Sequence, residues 1–168
     1  MSRMETKLDG IHGPGIYGFF GNYRFLSNFW QVPCQYEGLM YPSSEAAYQA
    51  AKALDPDLRL RMSEMAPAES KAFGSKIKLR EDWEQAKLQV MADCVMDKFT
   101  RNQRERHWLF DTLPDFPYLE ETNYWNDKIW GVCKGEGRNH LGKILMAVRK
   151  KLYQREMEEI KAVHYIGG

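Results

Sequence analysis

The chain has 168 residues, of which 43% are hydrophobic and 28% charged, the composition of one globular domain with its own core. Its 24 Lys and Arg nearly balance its 23 Asp and Glu. The net charge of +1 argues against non-specific binding to nucleic acid or membranes. Aromatic residues reach 13%, and their flat faces can stack on heterocycles as well as fill a core.

The N-terminal segment, residues 1–15, contains three glycines and a proline, and we expect a flexible leader there. No apolar segment marks a signal peptide, and no run approaches the roughly 18 apolar residues of a membrane span. The three cysteines, Cys34, Cys94 and Cys133, form no CxxC pair. We expect buried free thiols, neither a disulfide nor a zinc site, and a reducing cytoplasm as the compartment.

Strands and helices follow in a mixed order. Strands are predicted at 16–20, at 30–36 despite Pro33, at 118–121 within an otherwise irregular stretch, and at 129–132. Helices are predicted at 45–54, 57–65, 67–73, 82–100 and 102–112, with a last helix that Asn139 can cap. This order predicts an α+β class, a helix-rich single domain with a few short strands, and no GxGxxG or P-loop pattern is present.

Polar side chains share one face of the helix predicted after Ser43 and Ser44. Glu45, Gln49 and Lys52 are spaced at i, i+4 and i+7, and four alanines beside them would let a ligand approach closely. A functional site and a solvated helix face both fit this spacing, and the solvated face is the commoner case.

Two further segments place polar groups among large apolar residues. Ser27 and Asn28 stand between Leu26 and Phe29, where they either hold a turn or face a ligand. Asp127 stands near Trp125 and Trp130 in a segment that is either an aromatic loop filling the core or part of a site. We expect Trp108 in the core, whereas the positions of Trp30 and Trp125 are left open.

Taken together, these pieces resemble the NADAR superfamily of YbiA-like proteins. The resemblance covers about residues 17–152, leaving 1–15 and 153–168 as a leader and a C-terminal extension. Its motifs occur in order along the chain: Tyr23 to Phe29, Tyr41 to Lys52, Arg80 with Asp82-Trp83, Met91, Lys98-Phe99, Leu119-Glu120-Glu121, Asp127-x-x-Trp130-Gly131, and Gly137-x-Asn139-x-Leu141-Gly142 running into Arg149.

The resemblance implies an N-glycosidase, a hydrolase that needs no cofactor and no metal. Members of the family cleave the ribosyl C–N bond of a phosphoribosylamino-pyrimidine from riboflavin synthesis, or release ADP-ribose from modified guanine bases in DNA or RNA. It implies Glu45 as the carboxylate beside C1′ or the activator of water, and Asp127 as the second carboxylate. Lys52 would hold a phosphate or hydroxyl, or attack C1′ to form a transient imine, with Lys98 in reserve.

The remaining site residues implied by the resemblance bind the substrate. Trp83 and Trp130 would stack on the base, helped by Phe19 or Tyr23, and Gly131 would allow close backbone approach. The expected polar and phosphate-binding residues are Arg24, Ser27, Asn28, Gln49 and Asn139, the last at a helix N-terminus that suits an anion.

Two other functions are compatible with the residues. A non-catalytic sensor of ADP-ribose or nucleotides has no need of paired carboxylates near an anionic ligand. A nucleic-acid-binding domain would use the basic groups along the predicted helices, which are more simply solvated helix faces: Lys76, Lys78, Arg80, Arg101, Arg104, Arg106, His107, Arg149, Lys150 and Lys151. The oligomeric state is left open.

Overall fold

The computed structural model describes residues 13–167, so most of the expected leader lies outside the described residues. The predicted fold class is confirmed, because the chain forms a helix-rich α+β domain with short strands. Within residues 13–167, six helices carry the fold: α1 (Ser44–Ala50), α2 (Pro56–Met62), α3 (Pro67–Gly74), α4 (Trp83–Arg101), α5 (Gln103–Asp111) and α6 (His140–Ile166). A 3₁₀ segment, Gly21–Leu26, precedes them.

In the described part of the chain, the strands form three separate pairs. β1 (Gly15–Tyr17) and β4 (Tyr118–Glu120) are parallel, as are β5 (Thr122–Asn123) and β6 (Val132–Cys133). β2 (Cys34–Tyr36) and β3 (Leu39–Tyr41) form an antiparallel hairpin. Glu37 and Gly38 make its two-residue turn, and both have a positive φ, as such turns require.

The strand predicted at 129–132 is largely wrong. The backbone N–H groups of Ile129 and Trp130 both donate to Oδ1 of Asp127, so this part of the chain forms a turn. Pairing begins only at Val132, whose N–H donates to the carbonyl of Glu121.

Helix α1 lies at the centre of the core. Every residue from Ser44 to Ala50 is buried, and the helix contacts α2, α3 and α4. The small side chains of Ala46, Ala47 and Ala50 allow this close packing. Because α1 is enclosed on most sides, its polar side chains must find partners or line an internal space.

Helix α6 begins at His140 and packs its first half against the core through Leu141, Leu145, Val148 and Leu152. Arg149 is also buried, and its guanidinium donates to Thr112 Oγ1 and to the carbonyls of Phe116 and Pro117. The basic run predicted as a solvated face therefore includes one arginine with a structural role. After Leu152 the helix continues with mostly exposed side chains.

The three cysteines are buried and free, as predicted. Cys34 Sγ donates to the carbonyl of Cys94, which ties β2 to α4. Trp108, predicted in the core, is instead 37% exposed and packs edge-on against Phe25 and Trp30. Among residues 13–167, no helix combines the length and apolarity needed to cross a membrane.

Candidate active site

A cavity of about 450 Å³ opens beside the start of α1. This volume is in the range of small-molecule sites. Its walls come mainly from α1, from the end of the 3₁₀ segment with the loop after it, and from the loop between β5 and β6. Single residues of α3, α4 and α6 and the residue after β4 complete the lining. The lining residues are Phe20, Arg24, Ser27, Asn28, Phe29, Glu45, Tyr48, Gln49, Lys52, Lys71, Met91, Glu121, Tyr124, Trp125, Asp127, Trp130 and Leu141.

Helix α1 presents Glu45 to this cavity from its first turn. Ser43 caps the helix by accepting a hydrogen bond from the Ala46 N–H at 3.0 Å. The Glu45 N–H donates to the carbonyl of Asn28 at 3.1 Å, which fixes the helix start against the loop that follows the 3₁₀ segment. Glu45 is only 7% exposed and Gln49 5%, so the interpretation of a solvated face is wrong for both.

Burial and hydrogen bonding shift the pKa of Glu45 in opposite directions. Burial raises the pKa of its carboxyl, and the nearby Asp127 carboxylate raises it further. Gln49 Nε2 donates to Glu45 Oε1 at 2.9 Å, and this bond lowers the pKa, as do the ammonium groups of Lys71 and Lys52. The carboxyl is thus held in a low-dielectric wall with a small set of compensating partners.

Asp127 is fixed by a closed set of hydrogen bonds. Its Oδ1 accepts from the N–H groups of Ile129 at 3.0 Å and Trp130 at 2.9 Å. The side chain of Asn123 receives the Asp127 N–H at 3.1 Å and donates to its carbonyl at 2.8 Å. Two N–H donors on one oxygen hold the carboxylate in one orientation.

Glu121 is a third carboxyl group in the cavity. It follows β4, and its N–H donates to Asn139 Oδ1 at 3.0 Å. Its Oε2 is buried and has no hydrogen-bond partner among the described residues. Burial, followed by the charges of Asp127 and Glu45, raises the pKa of Glu121 to about 8.

Three cationic side chains reach the same cavity. Lys52 lies with Nζ 5.9 Å from the ring centre of Tyr48, and burial lowers its pKa, an effect that the Glu45 carboxylate opposes. Lys71 lies with Nζ 5.7 Å from the ring centre of Phe29. Arg24 is exposed, and its guanidinium makes no ion pair or hydrogen bond with the part of the chain that the structure describes.

Aromatic rings complete the walls. Trp130 meets Tyr48 edge-on, with ring centres 5.4 Å apart. Trp125, whose position the sequence left open, lines the cavity, is 43% exposed and meets the ring of Phe20 edge-on. Tyr124, also in the lining, is 84% exposed, so Tyr124 and Trp125 form the mouth of the cavity.

Eight of the twelve residues expected in the site line the cavity. Two of the eight, Ser27 and Asn28, also hold the local fold, as Asp127 does. Ser27 Oγ accepts from the N–H of Phe29, which closes a turn. Asn28 accepts from Ser44 Oγ at 2.9 Å and donates to Met91 Sδ. The eight residues are Arg24, Ser27, Asn28, Glu45, Gln49, Lys52, Asp127 and Trp130.

The other four expected residues do not line it. Trp83 is 5% exposed and packs on Tyr48 from behind. Lys98 is fully buried, and its Nζ donates to the carbonyls of Phe25 at 2.7 Å and Ser27 at 2.9 Å.

Asn139 and Gly131 also lie behind the wall. The Asn139 side chain bridges Leu119 and Glu121, so it makes no capping hydrogen bond to α6 and has no side-chain group left for an anion. A Cβ on Gly131 would lie 2.1 Å from the Glu121 carbonyl oxygen and 2.7 Å from its Oε2. Gly131 therefore makes room for Glu121.

The sequence did not identify Glu121, Lys71 or Trp125 as site residues. Glu121 was within a family motif, which was the only signal available for it. Lys71 is a single lysine on a short helix, and nothing in the local pattern separates it from other exposed lysines. Among residues 13–167, no group of three or more His, Cys, Asp or Glu side chains is placed to hold a metal ion.

Comparison with known proteins places the chain in a family. The NADAR domain model matches residues 17–153, most of the described structure. N-glycosidase YbiA of Escherichia coli is 36% identical over 142 residues, covering 82% of this chain and 86% of that protein. An N-glycosidase of Nostoc punctiforme is 31% identical over 144 residues, covering 82% and 90%.

A riboflavin biosynthesis protein of Vibrio vulnificus is 36% identical over 137 residues, which is 79% of this chain and 36% of that longer protein. The NMR structure of E. coli YbiA superposes with a TM-score of 0.75 at 31% identity, covering 92% of this chain and 96% of that one. The chain belongs to the NADAR domain family.

Proposed function

We propose that this NADAR-family N-glycosidase hydrolyses the bond between C1′ of a 5-phosphorylated ribose and the nitrogen of an aminopyrimidine. The observation that carries the proposal is the cavity itself, in which buried carboxyl groups, cations and aromatic rings meet. In the reaction the C1′–N bond breaks, the hydroxyl of water bonds to C1′, and the amine leaves with a proton. Ribose 5-phosphate and the free aminopyrimidine are the products.

Glu45 and Asp127 supply the charge that this reaction needs. Loss of the amine leaves positive charge near C1′, and a carboxylate held in a low-dielectric wall stabilises that charge strongly. Glu45 is the group proposed to stand beside C1′ or to activate the attacking water. Asp127, oriented by the N–H groups of Ile129 and Trp130, is the proposed second carboxylate.

The cations and rings give the substrate its orientation. Lys71, Arg24 and Lys52 are placed to bind the 5-phosphate and the ribose hydroxyls, and Arg24 has no competing partner among the described residues. The aminopyrimidine would stack on Trp125 and Trp130, two of the rings that line the cavity. A ribose 5-phosphate with one pyrimidine ring is well matched to a cavity of about 450 Å³.

The aminopyrimidine is favoured over ADP-ribosylated guanine by the riboflavin biosynthesis name of the Vibrio vulnificus relative. The overall charge of +1 also fits a small substrate better than a nucleic-acid strand. The two substrate classes share a ribose joined to nitrogen, so one assay can compare them.

The test measures release of ribose 5-phosphate from the phosphoribosylamino-pyrimidine beside release of ADP-ribose from ADP-ribosylated guanine in DNA. We expect wild type to act on the first substrate at least tenfold faster in kcat/KM, and Glu45→Gln to lose about 10²–10³-fold of that activity. Glu64→Gln, at an exposed carboxyl on the surface, is the control. Preference for the guanine substrate, or binding of ADP-ribose without turnover of either, would overturn the proposal.

Direct attack by water is proposed, with an imine on lysine as the alternative route. Borohydride added during turnover would trap such an imine as a sugar adduct. Lys52 is the lysine to search for an adduct, because Lys98 Nζ is enclosed by the carbonyls of Phe25 and Ser27. An adduct on Lys52 that forms as fast as turnover would replace direct hydrolysis by the imine route.

A further inference from the structure

We propose that Glu121 is the acid that protonates the departing amine nitrogen, a role that rests on the N-glycosidase function proposed above. Its carboxyl lines the same cavity as Glu45 and Asp127, from the wall that the end of β4 provides. An amine attached to a pyrimidine leaves slowly as an anion, so a positioned proton donor is the group that this reaction still lacks.

The three carboxyl groups have different surroundings. Asp127 accepts two backbone hydrogen bonds on one oxygen, and Glu45 accepts one from Gln49 and lies near Lys52 and Lys71. Glu121 Oε2 accepts none from the described residues. A charge on Glu121 would therefore be the least stabilised of the three.

Gly131 contributes to this difference. Its missing side chain leaves the space in which Oε2 is buried, because a Cβ there would lie 2.7 Å from that oxygen. Oε2 is therefore shielded from water, and no hydrogen-bond donor among the described residues takes the place of water. The pocket thus favours the neutral, protonated carboxyl over the carboxylate.

The charges around Glu121 also favour its protonated form. Burial together with the charges of Asp127 and Glu45 raises the pKa of Glu121 to about 8, and Lys71 only partly offsets this. At neutral pH Glu121 is then largely protonated. Pairs of carboxyls whose surroundings separate their proton affinities divide into an acid and a base in glycoside hydrolysis.

The proton balance of the step is simple. The O–H bond of Glu121 breaks as the C1′–N electron pair moves to nitrogen, and an N–H bond forms. The attacking water gives its proton to Glu45, and its oxygen bonds to C1′. Transfer of that proton through solvent returns Glu45 to the carboxylate and Glu121 to the acid, so no further reactant is needed.

Two substrates separate this role from a structural one. The phosphoribosylamino-pyrimidine needs a proton on its leaving group, whereas 4-nitrophenyl riboside 5-phosphate releases a stable phenolate without one. We expect Glu121→Gln to lose about 10²–10⁴-fold in kcat on the first substrate and less than threefold on the second. Glu120→Gln is the matched control, because that neighbouring carboxyl bonds Tyr118 and Thr122 outside the cavity.

The pH profile of the wild type is an independent readout, because it does not depend on whether the Glu121→Gln variant folds. Activity on the aminopyrimidine should fall above about pH 8, and activity on the nitrophenyl substrate should show no such fall. Equal losses on both substrates in folded Glu121→Gln, or the same alkaline limb on both in wild type, would overturn the role of Glu121. Inactivity of wild type on both substrates would instead overturn the proposed function, and the role of Glu121 with it.

Discussion

Gln49 donates from Nε2 to Oε1 of Glu45 over 2.9 Å, one helical turn away, and both side chains are buried. Gln49 is held in place from behind, because a Cβ on Gly74 would lie 2.1 Å from its Oε1. A glutamine with this little freedom keeps its donor aimed at the carboxylate. The hydrogen bond favours the charged form of Glu45 against burial, which favours the neutral form.

Loss of the hydrogen bond from Gln49 to Glu45 should shift the acidic side of the pH profile of kcat/KM to higher pH. Gln49→Leu removes a force that lowers the pKa of Glu45, so a higher pH will be needed to ionise the carboxyl. A hydrogen bond to a charged group contributes about 1.5–3 kcal/mol, so we expect a roughly 10- to 100-fold loss in kcat/KM at pH 6 that shrinks as pH rises. A profile of kcat/KM against pH measures this, with Gln85→Leu on the exposed face of α4 as control. An unshifted acid limb would contradict the prediction.

Substitution at Gly131 should disrupt both fold and activity. In Gly131→Ala the new Cβ would lie 2.1 Å from the Glu121 carbonyl oxygen, so the chain at Glu121, before β5, and the chain at Gly131, before β6, must move apart locally. Overpacking of this kind costs about 1–3 kcal/mol, measurable as a lower urea midpoint. Gly135→Ala is the comparison, because its Cβ meets nothing within 4 Å. Its only cost is the backbone strain of an alanine at a φ of +79°. Equal losses in the two variants would show that the close contact at Gly131 is unimportant.

Replacement of Lys98 should destabilise the protein more at alkaline pH than near neutrality. Burial lowers the pKa of Lys98 to about 7, below its ordinary value of 10.5. Between pH 7 and 10.5 the unfolded chain binds a proton that the folded chain does not, so stability contributed by Lys98 rises with pH in that window. The neutral amine still has two N–H groups for the carbonyls of Phe25 and Ser27.

The difference in the free energy of unfolding between wild type and Lys98→Met should therefore be larger at pH 9.5 than at pH 6.5. At the alkaline end we expect about 1–3 kcal/mol for each carbonyl left without a donor. Urea titrations at the two pH values measure it, and the exposed Lys76→Met gives the baseline. A difference that is constant with pH would contradict the titration assigned to Lys98.

Alanine substitution should affect substrate binding at Trp125 and stability at Trp83. Trp125 is 43% exposed at the cavity mouth, so Trp125→Ala should raise KM about 5- to 100-fold through lost stacking, with little change in stability. Trp83 is 5% exposed behind Tyr48, so Trp83→Ala should cost about 3–5 kcal/mol of stability. Steady-state kinetics and urea unfolding on both variants check the pair. A normal KM in Trp125→Ala would remove that ring from the base site.

The helices were predictable because their signals are local. Ser43 caps α1, Pro67 begins α3, and the stripe from Trp83 marks α4. The end of α1 was predicted four residues too late for a tertiary reason. The carbonyls of Lys52 and Ala53 accept hydrogen bonds from Arg80 N–H and Arg59 Nε, partners that no local pattern reveals.

The site residues likewise divide into those that local spacing predicts and those that only the tertiary structure brings together. Glu45, Gln49 and Lys52 share a helical spacing, so the sequence placed them together. Glu121 approaches them only because the β5–β6 pairing and Gly131 bring a distant segment alongside, which sequence spacing does not encode. Lys98 and Trp83 lie on the buried stripe of α4, and periodicity does not distinguish a residue that faces the cavity from one that packs behind its wall.

The side chain of Asn123 bonds both the N–H and the carbonyl of Asp127, so the intervening loop is closed on itself and carries Tyr124 and Trp125 between its fixed ends. The Trp125 indole and the Asp127 carboxylate lie on this one closed loop, so we expect a shift of the loop to move both. The fluorescence of Trp125 is therefore a natural optical reporter of where Asp127 stands. With Trp83, Trp108, Trp130 and Trp30 replaced by phenylalanine where the fold tolerates it, that signal would follow the carboxylate through binding and release in real time.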